Sequence, residues 1–175
     1  MKIIGLQSKK VRLFSYNPAW KRLYKEEEKL LRFVIGKYVL DIQHVGSTSI
    51  PGAKAKPIID IAIGVKNLKE GEKCIKPLKQ LGYEYKHNAG IKGRHFFVKG
   101  NEINRTHYVH IEKLDGRLWK NHIIFRDYLR KYKETVKEYN ELKEKLAKKY
   151  KDDRDTYTAW KDSFIQGIIK KAEKD

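Results

Sequence analysis

The stretch His44-Val45-Gly46-Ser47-Thr48-Ser49-Ile50-Pro51-Gly52, running on through Ala53-Lys54-Ala55-Lys56-Pro57 into Ile58-Ile59-Asp60-Ile61-Ala62-Ile63-Gly64-Val65, decides how the rest of the chain is read. It reads as a strand, a glycine–serine turn, a short linker and a second strand. The first strand spans about Val39 to Val45 and ends at the polar turn. Gly46 is free to take a positive φ and to bring the backbone close to a ligand. Ser47, Thr48 and Ser49 set three hydroxyls beside several backbone N–H groups, and oriented amides of this kind form anion-binding concavities. The second strand is a β-branched apolar run carrying one acid, Asp60. Alternation puts Ile59, Ile61 and Ile63 on one face and Ile58, Asp60 and Ala62 on the other. A lone carboxylate in such a run is costly to bury without a partner. A phosphate-cradling turn followed by an acid on the adjacent strand points to a metal–phosphate site.

Taken together, His44, Gly46, Ser47, Thr48, Gly52, Lys56, Pro57 and Asp60 resemble the GrpB-like family of the nucleotidyltransferase superfamily. Tyr16-x-Pro18-x-Trp20, the Arg105…His110 segment, Phe125-Arg126-Asp127-Tyr128-Leu129-Arg130 and Arg154-x-x-Tyr157-x-x-x-Lys161 extend the resemblance over most of the chain. It implies an α/β (α+β) fold of nucleotidyltransferase-like topology, a small mixed sheet flanked by helices with the C-terminal helices packed on it. In the wider superfamily a Gly-Ser turn precedes a strand with acids in Asp-x-Asp or Asp-x-Glu order. Those acids, with another from a later strand, hold divalent metal against a nucleoside triphosphate. Here Ala62 stands at the second acid position, a departure that leaves two-metal chemistry short of a carboxylate.

Bulk properties narrow the function classes. At 175 residues the chain is expected to be one domain, 1–175, with a real core. A composition of 40% apolar and 35% charged residues suits a globular protein. No run approaches the roughly 20 apolar residues of a membrane span, and Met1-Lys2-Ile3-Ile4-Gly5-Leu6 is too short for a secretory signal. One cysteine, Cys74, excludes an internal disulfide and a cysteine zinc cluster. The cytoplasm is the expected compartment, with no membrane partner. The net charge of +18, from 40 basic and 22 acidic residues, attracts nucleic acid, nucleotides or anionic lipid. Lys/Glu surface decoration accounts for it equally well. The charge is spread along the chain, which argues against a dedicated nucleic-acid arm.

Residues 1–15 form an edge strand or an irregular lead-in. Asn17 caps a helix with Pro18 at its first position. Trp20, Leu23, Tyr24, Leu30, Leu31 and Val34 recur at helical spacing, with Gly36 as stop, and Trp20 belongs to the core. A second helix from Asn67 or Leu68 to about Leu81 is kinked or split by Pro77 and stopped by Gly82. Cys74 on it is a small buried hydrophobe. Strands follow at Tyr83 to Lys86, Arg94 to Lys99 and Arg105 to Lys113, with a turn at Gly100-Asn101-Glu102 between the last two.

On the Arg105–Lys113 strand Thr106, Tyr108, His110 and Glu112 share one face, and His107, Val109 and Ile111 the other. This excludes His107-x-x-His110 as a zinc pair. His110 is either a hydrogen-bonded core histidine or a site residue; the resemblance places it across from Asp60. Glu112, on the same face, is expected to replace the carboxylate missing at position 62. Arg94 and Arg105 border these strands and either clamp phosphate or lie on the surface. The surface reading is preferred for Arg94.

A long helical pattern from Leu118 to Tyr150 is expected to break between Lys131 and Glu134. Arg126 forms an ion pair with Asp127 or reaches the pocket. The Lys/Glu-rich segment from Tyr139 to Lys151, with Glu141–Lys145 and Glu144–Lys148 pairs, reads as a solvated face. Asp152 to Asp155 is linker and cap. A last helix over about Thr156–Lys171 packs Tyr157, Trp160, Phe164, Ile165, Ile168 and Ile169. Tyr157 and Lys161 share a face with Arg154 near its start, either as a donor cluster for phosphates or as Tyr–Lys packing.

The expected activity is nucleotide or phosphate-ester binding, with nucleotidyl transfer as the reaction the resemblance implies. Asp60, His110 and Glu112 are the catalytic candidates. Gly46, Ser47, Thr48, Lys56, Arg105, Tyr157 and Lys161 are the phosphate ligands, and Asp60 and Glu112 hold Mg²⁺ or Mn²⁺. The alternative is a non-catalytic module for a nucleotide, a CoA-like phosphate or RNA.

Overall fold

The strands on either side of the glycine–serine turn form where the β-branched runs dictate. β1 (Asp41–Val45) and β2 (Ile59–Val65) pair antiparallel, with Val45 opposite Asp60. The computed structural model describes residues 3–174. Met1, Lys2 and Asp175, which the expected 1–175 domain and its lead-in include, lie outside the described residues. β3 (Tyr83–Tyr85), β4 (Arg94–Lys99) and β5 (His107–Lys113) complete a five-stranded sheet in the order β1-β2-β5-β4-β3. β2 and β5 run parallel and the other neighbours antiparallel, so the sheet is mixed. The lead-in adds no strand; it forms single bridges, Leu6 to Arg105 and Phe14 to Ala55, and packs Leu6 against Val98 and Tyr108 of the sheet.

The first face of the sheet carries the main core. Ile59, Ile61, Ile63 and Val65 alternate onto it and pack with Trp20, Tyr24, Leu31 and Ile35 of α1 (Ala19–Ile35). The Asn17 side chain accepts from the Ala19 amide at 2.9 Å, the expected cap. α2 (Leu68–Glu72) and α3 (Ile75–Gln80) lie on the same face. The break between them falls at Lys73 and Cys74. A proline ring clashes with the carbonyl four residues earlier, here that of Lys73, so the split precedes Pro77.

The second face supports the C-terminal helices α4 (Arg117–Lys131), α5 (Lys133–Lys149) and α6 (Arg154–Ala172). Tyr132 leaves helical conformation between α4 and α5, inside the expected interval. Their own core joins Phe125, Leu129, Val136, Tyr139, Ile168 and Ile169 to Ile50 and Ala53 from the linker after the turn. Two expectations on these helices are corrected. Trp160 is 56% exposed, because the buried stripe of α6 is centred to one side of it, on Tyr157 and Ile168. α5 is not a wholly solvated face: Lys143 is only 1% exposed, and Glu144 pairs with Lys54.

Candidate functional site

Gly46 ends β1 with φ +68° and turns the chain into a short 3-10 segment, Ser47–Ser49. The turn's own bonds begin with the Ser49 amide on Gly46 O at 3.1 Å and the Ile50 amide on Ser47 O at 3.2 Å. The amides of Ser47 and Thr48 therefore have no acceptor inside the turn. The three hydroxyls, predicted as one set, are separated. Ser49 Oγ donates to Gly46 O at 2.6 Å. Ser47 Oγ accepts from Lys143 Nζ at 3.3 Å. Thr48 is buried and its Oγ1 lies 2.9 Å from His44 Nε2, so its hydroxyl is engaged and the expectation of Thr48 as a phosphate ligand is corrected to its backbone amide alone. His44 stacks on Tyr24 with ring centroids 4.6 Å apart. Burial pushes its pKa down to about 3, so it stays neutral. Thr48 and His44 face a separate polar cleft of about 420 Å³ beside α1, into which Arg126 and Arg130 also reach.

Asp60 stands beside Gly46 on the second face, with its side chain 31% exposed. Burial opposes its charge, but the His110 hydrogen bond and the cations of Lys56 and Arg154 outweigh that and hold its pKa below the ordinary carboxylate value. Lys56 and Lys161 place their ammonium groups over the Tyr157 ring, 5.6 and 4.6 Å from its centroid. Neither is within ion-pairing distance of a carboxylate among the described residues. Arg154 Nη1 donates to Tyr108 Oη at 2.5 Å, and its guanidinium lies 4.7 Å above that ring. Thus Arg154-x-x-Tyr157-x-x-x-Lys161 does converge with Lys56 and Asp60.

These cations are poorly hydrated. Burial pushes Lys161 down to about 8, with Asp60 opposing and Arg154 adding to the shift. It pushes Lys56 well below the ordinary lysine value, helped by Arg154 and Lys161. Lys143 also donates to Lys54 O. Burial takes it down to about 6, with the Lys161 charge assisting. Basic side chains crowd around Asp60, with Asp155 also near Lys56, an arrangement complementary to an anion.

His110 lies across from Asp60, with Nε2 3.5 Å from Oδ1. Arg94 Nη1 is 3.0 Å from the other ring nitrogen, Nδ1. A guanidinium only donates, so Nδ1 accepts, and neutral His110 carries its proton on Nε2, toward Asp60. Arg94 therefore belongs to the site, against the surface reading, because β4 is paired with β5 and brings its first residue opposite Glu112. In the β2–β5 register the residue level with Ala62 is His110; Glu112 lies level with Gly64. Glu112 is thus not the replacement for the acid at position 62. Its Oε1 accepts from His122 Nε2 of α4 at 3.2 Å. Ala62 itself is filled in, packed with Val45 and Trp119.

Arg105 is committed elsewhere. Its Nη1 donates to Gly100 O at 2.7 Å and to Glu84 Oε2 at 3.2 Å, tying the β4–β5 connection to β3. The expected phosphate clamp at Arg105 is corrected to a structural role. Arg126 forms the expected ion pair and reaches the cleft beside α1 instead of the phosphate site. It pairs with Asp127, 2.7 Å from Nε to Oδ1, and its Nη1 donates to Gln43 Oε1 and His44 O at the edge of β1.

Sequence reasoning missed Lys143 and His122. Lys143 had a signal: it follows Tyr139 by four residues, so it shares the buried stripe. His122 had none, because its partner Glu112 comes from a strand.

With the geometry in place, comparison defines the class. The fold superposes on Cid1, a poly(U) polymerase solved with its product ApU, at TM-score 0.53 and 12% identity, covering 77% of this chain and 42% of that one. That is a likeness of fold alone: the mixed α/β sheet with its flanking helices is arranged as in Cid1. The sequence pattern of GrpB proteins matches residues 10–171, and the chain belongs to the GrpB family. It is 40% identical to the glutamate-rich protein GrpB of Alkalihalophilus pseudofirmus over 95% of this chain and 98% of the relative. The crystal structure of GrpB from Enterococcus faecalis superposes at TM-score 0.85 with 36% identity, covering 93% of this chain and 98% of that one.

Proposed function

We propose that the protein binds a nucleoside triphosphate or related phosphate ester between the Gly46–Ser47 turn and α6, with nucleotidyl transfer as the reaction its fold accommodates. The observation that supports this reading is the convergence of Lys56, Arg154 and Lys161 on Asp60, with Asp155 also acting on Lys56. Crowded, desolvated cations repel one another and an anion relieves them. The Ser47 and Thr48 amides and the Ser47 hydroxyl add neutral donors at the turn.

Asp60 is part-exposed and depressed in pKa, so its ionised oxygens suit a hard cation such as Mg²⁺ or Mn²⁺, which binds through one or two carboxylates plus substrate phosphates. Bound there, the ion would neutralise phosphate charge. Lys56 and Lys161 would hold the phosphates, and His110, donating from Nε2, would orient Asp60. Cid1, which shares the fold, holds a UTP analogue.

A second reading is binding without turnover. The buried Ala62, packed with Val45 and Trp119 where the wider superfamily has its second acid, favours it.

A thermal-shift panel of ATP, GTP, CTP, UTP and CoA, each with and without Mg²⁺ or Mn²⁺, tests both. A ligand at 100 times its Kd stabilises by about 2.7 kcal/mol, roughly 5–10 °C for a chain of this size. A metal-dependent shift lost in Asp60→Asn supports the metal–nucleotide reading, and a metal-independent shift that survives supports the binding module. No shift with any ligand overturns both and brings RNA forward, for which a steep salt dependence is the signature.

A further inference from the structure

The geometry points to a transition-metal site of His110, Glu112 and His122, sharing His110 with the phosphate site and selective for an ion of the Zn²⁺ or Co²⁺ class. One ligand atom from each of these residues lies within 4.8 Å of the others. In a tetrahedral zinc site, with ligand bonds of about 2.0–2.2 Å, such atoms stand roughly 3.3–3.5 Å apart, so closure needs only a modest contraction. Two imidazoles with one carboxylate suit zinc or cobalt, whereas Mg²⁺ takes an oxygen set.

A second observation points the same way. Glu112 is 1% exposed, and while Oε1 takes the His122 hydrogen bond, Oε2 is buried with no hydrogen-bond partner. A buried carboxylate oxygen without a donor is unusual, and a cation among these three residues satisfies it. Glu112 comes from β5 and His122 from α4, so the sheet and the helix layer each hold part of the site.

Arg94 competes for this position. Its Nη1 donates to His110 Nδ1, and its charge also faces Glu112 and Asp60. If the metal takes Nδ1, Arg94 is displaced directly. If it takes Nε2, a neutral imidazole must carry its proton on Nδ1, which then no longer accepts from Arg94. Either way metal binding and the Arg94 hydrogen bond are mutually exclusive.

The test is a Co²⁺ titration of the full chain without nucleotide, followed by visible ligand-field absorption, so its outcome is independent of the phosphate reading. A saturable 1:1 spectrum of low-coordinate Co²⁺ is expected, abolished in Glu112→Gln and in His122→Asn, and competed away by Zn²⁺. His122 is part-exposed, so its variant keeps the test open if Glu112→Gln misfolds. Arg94→Met is expected to tighten binding tenfold or more, which a purely structural hydrogen-bond network would not do. A spectrum no stronger than aqueous Co²⁺, or one unchanged in His122→Asn, overturns the assignment.

Discussion

A Cβ built on Gly46 would lie 2.7 Å from Asp60 Oδ2 and 3.0 Å from Asp60 Cβ. The glycine of the turn and the acid of the neighbouring strand are thus one steric unit. Gly46 is needed both for its φ of +68° and for the room its missing side chain leaves to the carboxylate. Gly46→Ala is expected to destabilise the protein by about 1–3 kcal/mol, the cost of a strained backbone position. Urea unfolding measures this. The same variant should lose ligand-induced stabilisation, since relief of the clash moves Asp60.

Lys143 gives stability a pH dependence of defined sign. Its native pKa of about 6 lies below the ordinary 10.5, so between those values the unfolded chain binds more protons. Stability from this group therefore rises with pH from about 6 upward. Lys143→Met removes that contribution, and the slope between pH 6 and 8 should fall by up to about 1.4 kcal/mol per pH unit. Denaturant midpoints across that range check it; an unchanged slope refutes it.

Lys161 makes phosphate affinity fall at high pH. With its pKa near 8 in the free protein, it must be protonated to attract an anion. Above pH 8 affinity should drop by up to tenfold per pH unit for this group. In Lys161→Gln the overall affinity should be lower and that decline absent. Calorimetric titration with inorganic triphosphate reads both.

Arg126 protects an edge strand. Its Nη1 satisfies the outward-facing His44 carbonyl at 3.0 Å, and Tyr24 Oη covers that of Ile42 at the same distance. Arg126→Met leaves the His44 carbonyl without this donor and should cost about 1–3 kcal/mol. Uncapped β1 also becomes a template for edge pairing, so concentration-dependent association by light scattering should accompany the loss.

Much of this protein was legible in one dimension. The β-branched runs, the Asn17 cap, the proline split and the period-two pattern of His107–Lys113 are local, and alternation put His110 and Glu112 on one face, while the family resemblance implied that His110 lies across from Asp60. The convergence of Arg154, Tyr157 and Lys161 followed from helical spacing. Tertiary structure decided how the polar groups were shared. Thr48 went to His44, Arg105 to Gly100 and Glu84, Arg94 to His110, and Glu112 to His122, while Lys143 was drawn under the turn. A residue's face follows from backbone period, which the sequence carries. Its partner depends on strand register and on which helix is laid across the sheet, and those are settled only when distant segments pack.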